Sequence, residues 1–141
     1  MREPIAATST DPLVPSGVAG AVLREVATLL AALAGDPGWE GAIDLRGLPV
    51  DDAARAALRD FLGCGEVDAS CDVAGASSVR ETSFCGVWWV VHRCASGAPL
   101  VEQIVVARAP ALLLAHPADI VAAHRKLVQR LDVRCGGCAA T

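Results

Sequence analysis

With 141 residues, 53% of them hydrophobic, the chain is long enough to bury one proper core and too apolar to be globally disordered. A formal net charge of -4, with 12 scattered lysines and arginines, argues against a nucleic-acid surface. The longest apolar stretch, Val18 to Ala34, is interrupted by Arg24 and Glu25 and is short for a membrane span, so no membrane insertion is expected.

The first residues, MREPIAATSTDPLVPSG, lack the basic and apolar regions of a secretory signal. Residues 1–15 are expected to form a flexible leader, and the chain is expected to be cytoplasmic. Ser16 can cap a helix running to about Ala34, with Val18, Val22, Leu23, Val26, Leu29, Leu30 and Leu33 at helical spacing. Gly35 and Pro37 stop it. GAIDL (41–45) is a short strand candidate. Asp51 then caps a second helix reaching Leu62, and Gly63 suits its C-terminal cap.

The period changes in GEVDASCDV. Val67, Ala69, Cys71 and Val73 alternate with Glu66, Asp68, Ser70 and Asp72, which is a half-buried strand with an acidic outer face. AGAS (74–77) is a turn, and SVRETSF forms the next strand. Gly86 permits a break before VWWVVHRC. ASGA (95–98) turns the chain into PLVEQIVVAR. These four consecutive strands predict an antiparallel meander. A short ALLLA segment (111–115) precedes a helix opened by His116 and Pro117 and reaching about Leu131, with Ile120, His124, Leu127, Val128 and Leu131 on one face. The tail DVRCGGCAAT reads as loose.

The fold expected is α+β: a mostly antiparallel four- to five-stranded sheet with helices packed on it. Residues 16–132 are expected to make a single domain, and residues 133–141 a flexible tail bearing a CxxC pair. If residues 41–45 join the sheet, the helix after them makes one crossover. Strand order is not legible.

Six cysteines in a reducing compartment do not suggest a disulfide framework. CGGC at 135–138 is the sharpest local motif, because two thiols at this spacing can chelate a metal or close a small disulfide. It is half of a four-sulfur site, and only three residues follow Cys138, too few for the helix a thioredoxin-type thiolate needs. An exposed tail is the simpler account. Cys135 and Cys138 remain the metal or redox candidates. No cofactor is expected, and iron or zinc held by cysteines is the alternative.

His92 and Cys94 are two residues apart on a strand and share a side. They could begin a Cys/His nucleophile pair, but no carboxylate or amide partner stands at useful spacing, and a structural role wins. There is no Walker loop, GxGxxG or HExxH. Nothing assembles a catalytic constellation, and the chain is not expected to be an enzyme.

In the strand VWWVVHRC, alternation sends Val87, Trp89 and Val91 to one face and Trp88, Val90 and His92 to the other. Both faces are apolar. If helices cover one, the other must meet more of this chain, a second copy or a partner. Trp88, Trp89, His92 and Arg80 are therefore the candidate partner-binding residues, since tryptophan is enriched at binding hot spots.

IDLRGLPV (43–50), LGCGEV (62–67) and RETSFCGVWWVVH (80–92) occur in order and at close spacing. Together they resemble the C-terminal conserved region of the HupH/HyaF family of nickel–iron hydrogenase expression proteins. The resemblance runs from about Ala42 to Leu131, and the short chain is similar to the small HupJ/HoxT-type members. It implies a cytoplasmic accessory factor, an assembly chaperone or scaffold, for maturation of an uptake hydrogenase. The implied partners are a hydrogenase subunit precursor, the iron–sulfur small subunit favoured, in cells making the enzyme under oxygen, and other hydrogenase accessory proteins. A homodimer is compatible with this. The alternative is a thiol-based redox or metal-handling factor. Two departures from the family pattern stand out: Cys85 occupies the place before GVWWV where a proline is expected, and the CGGC tail is not a family hallmark.

Overall fold

The computed structural model describes residues 14–72 and 75–138, and side chains as far as residue 133. Most of the leader, and the side chains of Cys135 and Cys138, lie outside the described residues. Two compact units are distinguished, Met1–Pro110 and Ala111–Thr141. The boundary at Ala111 falls inside the span read from sequence as one domain.

The first unit is built from two helices and a five-stranded sheet. In chain order these are α1 (Gly17–Gly35), β1 (Gly41–Asp44), α2 (Asp52–Leu62), β2 (Asp68–Asp72), β3 (Ala76–Glu81), β4 (Val87–Arg93) and β5 (Pro99–Val106). The sheet order is β1-β5-β4-β3-β2 and every neighbouring pair is antiparallel. The meander β2 to β5 is therefore as the alternation predicts. β1 joins at the far edge, against β5, so the connection through α2 carries the chain from one edge of the sheet to the other.

Local chemistry sets the helix ends. The Asp51 carboxylate accepts a hydrogen bond of 2.7 Å from the Ala54 amide, and Gly63 ends α2 with φ +66°. Ser16 does occupy the position before α1, but its hydroxyl makes no capping bond. Apolar spacing, not capping, holds α1 in place. Its Ala19, Val22, Val26 and Leu33 are buried in one cluster with Leu58 and Leu62 of α2, with Leu45 just after β1, and with Ile43, Val87, Trp89, Val91, Ile104 and Val106 of the sheet. α1 is long and apolar enough to cross a membrane by composition, and here it serves as a core helix.

The second unit contains a 3-10 turn at Ala111–Leu113 and α3, Pro117–Cys138. α3 outruns the expected end near Leu131. Gly136 and Gly137 are poor helix formers and suggested a loose tail, yet the backbone carries CGGC into the helix's last turns. Side chains from Pro117 to Val133 are exposed throughout.

Candidate functional site

Trp89 sits on the helix-covered face. It is 6% exposed, and the Arg59 guanidinium of α2 lies 5.1 Å from the centre of its ring. Its indole N–H is buried without a hydrogen-bond partner among the described residues. Trp88 points to the opposite face with Val90 and the fully buried Val79, which stand side by side in the β3–β4 register. It is 7% exposed, and its indole N–H donates to the Ala107 carbonyl at 3.0 Å. Both indoles are thus nearly buried, on opposite faces of the strand. Arg80 remains exposed, opposite Trp89, with its guanidinium 3.4 Å from the Asp68 carboxylate. His92 is half-buried, and its Nδ1 is 2.6 Å from the hydroxyl of buried Ser77.

The stretch RETSFCG is a clasp rather than a reactive loop. The Glu81 carboxylate accepts from the amides of Glu66 and Val67, closing the segment after α2. The Thr82 hydroxyl donates to the Val87 carbonyl at 2.9 Å and accepts from the Phe84 amide. The Ser83 hydroxyl and amide both donate to the Leu62 carbonyl, one of the acceptors a helix leaves open at its C-terminus. Gly86 makes the return with φ +87°, and a Cβ there would press on Leu33 at 3.0 Å.

This clasp holds Phe84 against Phe61, with ring centres 6.4 Å apart and planes nearly parallel. The two rings, with Leu23, Val26, Ala27 and Leu30 of α1 and with Leu62 and Val87, line an apolar groove of about 170 Å³. Phe84 is 43% exposed. Cys64 and Cys85, next to Gly63 and Phe84 in the chain, are exposed as well. These are the only two phenylalanines of the chain. A large apolar residue placed in a turn was the signal that could have marked the groove from sequence.

A second, polar hollow of about 330 Å³ is lined by Leu45, Arg46, Leu48, Val50, Arg55, Pro99 and Glu102. Glu102 is buried on β5, and its carboxylate lies 2.7 Å from Arg55 and 4.0 Å from Arg59. Arg46 donates to the Pro99 carbonyl. The cations here are engaged by protein acceptors, which fits a structural tie between α2 and the sheet.

His92 and Cys94 do not form a pair. An irregularity in register falls between His92 and Arg93, His92 is bonded to Ser77, and the Cys94 sulfur lies 2.8 Å from the Ser96 hydroxyl. Hydrogen bonding from the Ser96 side chain, followed by backbone bonds from Ser96 and Ala98, pulls the Cys94 thiol below its ordinary pKa. No group of three or more His, Cys, Asp or Glu side chains is placed to hold a metal ion among the described residues.

Residues 18–134 match the family described as HupH hydrogenase expression protein, C-terminal conserved region. A solved structure of the hydrogenase expression protein HupH from Thiobacillus denitrificans ATCC 25259 is similar, with 42% identity and a TM-score of 0.79. The match covers 83% of this chain and 97% of that one. No curated protein matches the chain.

Proposed function

Because the chain belongs to the HupH hydrogenase expression protein family, we propose that it is a cytoplasmic, non-enzymatic accessory protein for maturation of a nickel–iron uptake hydrogenase. In this role it acts as an assembly chaperone or scaffold. It holds the precursor of the iron–sulfur small subunit while the enzyme is made under oxygen, alongside other hydrogenase accessory proteins. The family match carries the role. The groove at Phe61 and Phe84 supports a site for it, being an apolar patch that the chain's own folding leaves partly open. Trp88 and Trp89 are nearly buried, and in this reading they support the sheet on which the groove is built while the groove meets the client.

Affinity capture from cells making hydrogenase under oxygen tests this. The wild-type chain should retain the small-subunit precursor, Phe84→Ser should lose it, and Phe84→Leu should keep most of it. Equal retention by Phe84→Ser would remove the groove from the proposal. If no hydrogenase subunit is captured even after crosslinking, the chaperone role fails.

A thiol role is the second reading, favoured by the exposed Cys64 and Cys85, which adjoin Gly63 and Phe84 in the chain. Cys135 and Cys138 belong to it as metal or redox candidates. Anaerobic purification with iron and zinc analysis, compared with a Cys135→Ser, Cys138→Ser double variant, decides it: metal lost in the variant supports a site, and metal-free protein with full function in the variant excludes one.

A further inference from the structure

We propose that the edge of the sheet at β2 takes an extended segment of a partner protein as an added strand, and that this segment alternates basic with apolar residues. This goes beyond the accessory role and does not depend on it.

The register shows which backbone groups the edge offers. β2 is the last strand in the order β1-β5-β4-β3-β2, so one side of it has no neighbouring strand. The Glu81 amide donates to the Val67 carbonyl, just ahead of β2. Bonded and non-bonded pairs alternate along an antiparallel ladder. Ala69, opposite Val79, and Cys71, opposite Ser77, therefore turn their N–H and C=O groups toward β3. Asp68, Ser70 and Asp72 turn theirs outward, and all three residues are exposed. Those outward groups have no backbone partner among the described residues. Such a row is a template for an extended chain, whose own N–H and C=O groups complete the ladder. The other edge offers less: β1 is four residues long, and the Trp39 ring lies against Gly41.

The side chains select the occupant. Asp68, Ser70 and Asp72 share one face of the strand, and Glu66 precedes them in the same alternation. Arg80 lies 3.4 Å from Asp68, and both side chains are mostly exposed, so this pair neutralises the edge only weakly. Arg59 is held farther in, over Trp89, with Glu102 beside it. The edge is acidic on balance. A second copy of β2 is a poor occupant, because antiparallel pairing about Ser70 sets Asp68 against Asp72 at both ends, and like charges directly opposite are destabilising. A strand with lysine or arginine at those positions meets opposite charge instead. On the other face, the half-buried Ala69 continues the row formed by Val90 and the fully buried Val79. The alternate residues of the incoming strand extend that row and should be apolar.

A short labelled peptide of alternating lysine and valine, added to the full chain, tests the edge. Fluorescence anisotropy should show binding that weakens as salt rises, and the amides of Asp68, Ser70 and Asp72 should exchange more slowly in its presence. Asp68→Asn combined with Asp72→Asn should raise the dissociation constant about tenfold. Ser70→Pro removes an outward N–H, which an edge strand tolerates, and should abolish binding. The same peptide methylated on alternate backbone nitrogens keeps its charge and loses its donors, so it should not bind; this arm stands even if Ser70→Pro disturbs folding. A glutamate–valine peptide should not bind either. No binding of the lysine–valine peptide, or protection that falls elsewhere than on β2, overturns the proposal. Equal binding of the methylated peptide overturns the strand addition, and equal binding of the glutamate–valine peptide overturns the charge selection.

Discussion

The guanidinium of Arg59 caps the ring of Trp89, while the adjacent Trp88 faces away and gives its N–H to Ala107. Two neighbouring tryptophans thus sit in opposite chemical situations: one is hydrogen-bonded, and the other keeps a buried N–H unpartnered among the described residues. The same substitution should separate them. Trp88→Phe loses volume and leaves the Ala107 acceptor short of a donor. Trp89→Phe loses similar volume but also removes an orphaned donor, offset by a weaker cation–π contact. Trp88→Phe should therefore cost roughly 1 kcal/mol more than Trp89→Phe. Urea unfolding curves of the two variants check the difference. Equal losses would mean that the N–H of Trp89 finds a partner in solution.

Arg55 and Glu102 form the most consequential ion pair, because Glu102 is buried and Arg55 half-covered. Removing the cation alone leaves a buried carboxylate with only the more distant Arg59 beside it. Arg55→Met should destabilise the first unit by roughly 3 kcal/mol. Arg55→Met combined with Glu102→Gln should recover part of that loss, since the stranded charge is gone. Thermal unfolding of the single and double variants measures the recovery.

Thr82 is 3% exposed and is bonded at both ends of its hydroxyl. Thr82→Val keeps the shape and removes both bonds, at a cost of about 1–2 kcal/mol. Its second effect is on Phe84, whose amide the hydroxyl holds. The Phe84 ring should become more mobile, with broadened aromatic NMR signals, while the Phe61 backbone signals change little. An unchanged Phe84 ring would show that stacking on Phe61 suffices to place it.

The Cys94 thiol should ionise more readily than an ordinary cysteine. Hydrogen bonds from Ser96 favour the thiolate, so the pH at which alkylation of Cys94 reaches half its maximal rate should lie below that of an ordinary cysteine. Ser96→Ala removes the largest contributor and should shift the Cys94 profile to higher pH. Iodoacetamide labelling across pH, followed by peptide mass spectrometry, resolves each site. A Cys94 profile unmoved by Ser96→Ala would exclude the hydroxyl as the cause.

Local order was legible where a period or a cap announced it. The alternation in GEVDASCDV and VWWVVHRC predicts strands, and Asp51 and Gly63 mark the ends of α2, as found. The same alternation assigns the two tryptophans to opposite faces. It could not tell that both faces are covered, because burial depends on elements distant in sequence. Glu102 shows the limit most plainly: in PLVEQIVVAR it reads as one polar residue in an apolar strand, and its partner Arg55 belongs to a helix on the other side of β2, β3 and β4 in the chain. The RETSF clasp was hidden for a related reason. Its acceptors at Leu62 and Val87 are backbone carbonyls, which every residue type supplies alike. The reach of α3 through CGGC ran against the helix propensity of its glycines.

The strand order also dictates how the first unit is expected to assemble. β2 to β5 close by short turns between successive strands, so three hairpins can form without bringing distant segments together. β1 is synthesised before any of them, yet its only partner is β5, the last strand made. It must wait, with α1 and α2 already emerged, until the meander is complete. The short outer strand Gly41–Asp44 is thus the final closure of the sheet, and its amides should be among the first to exchange with solvent when the native state opens locally.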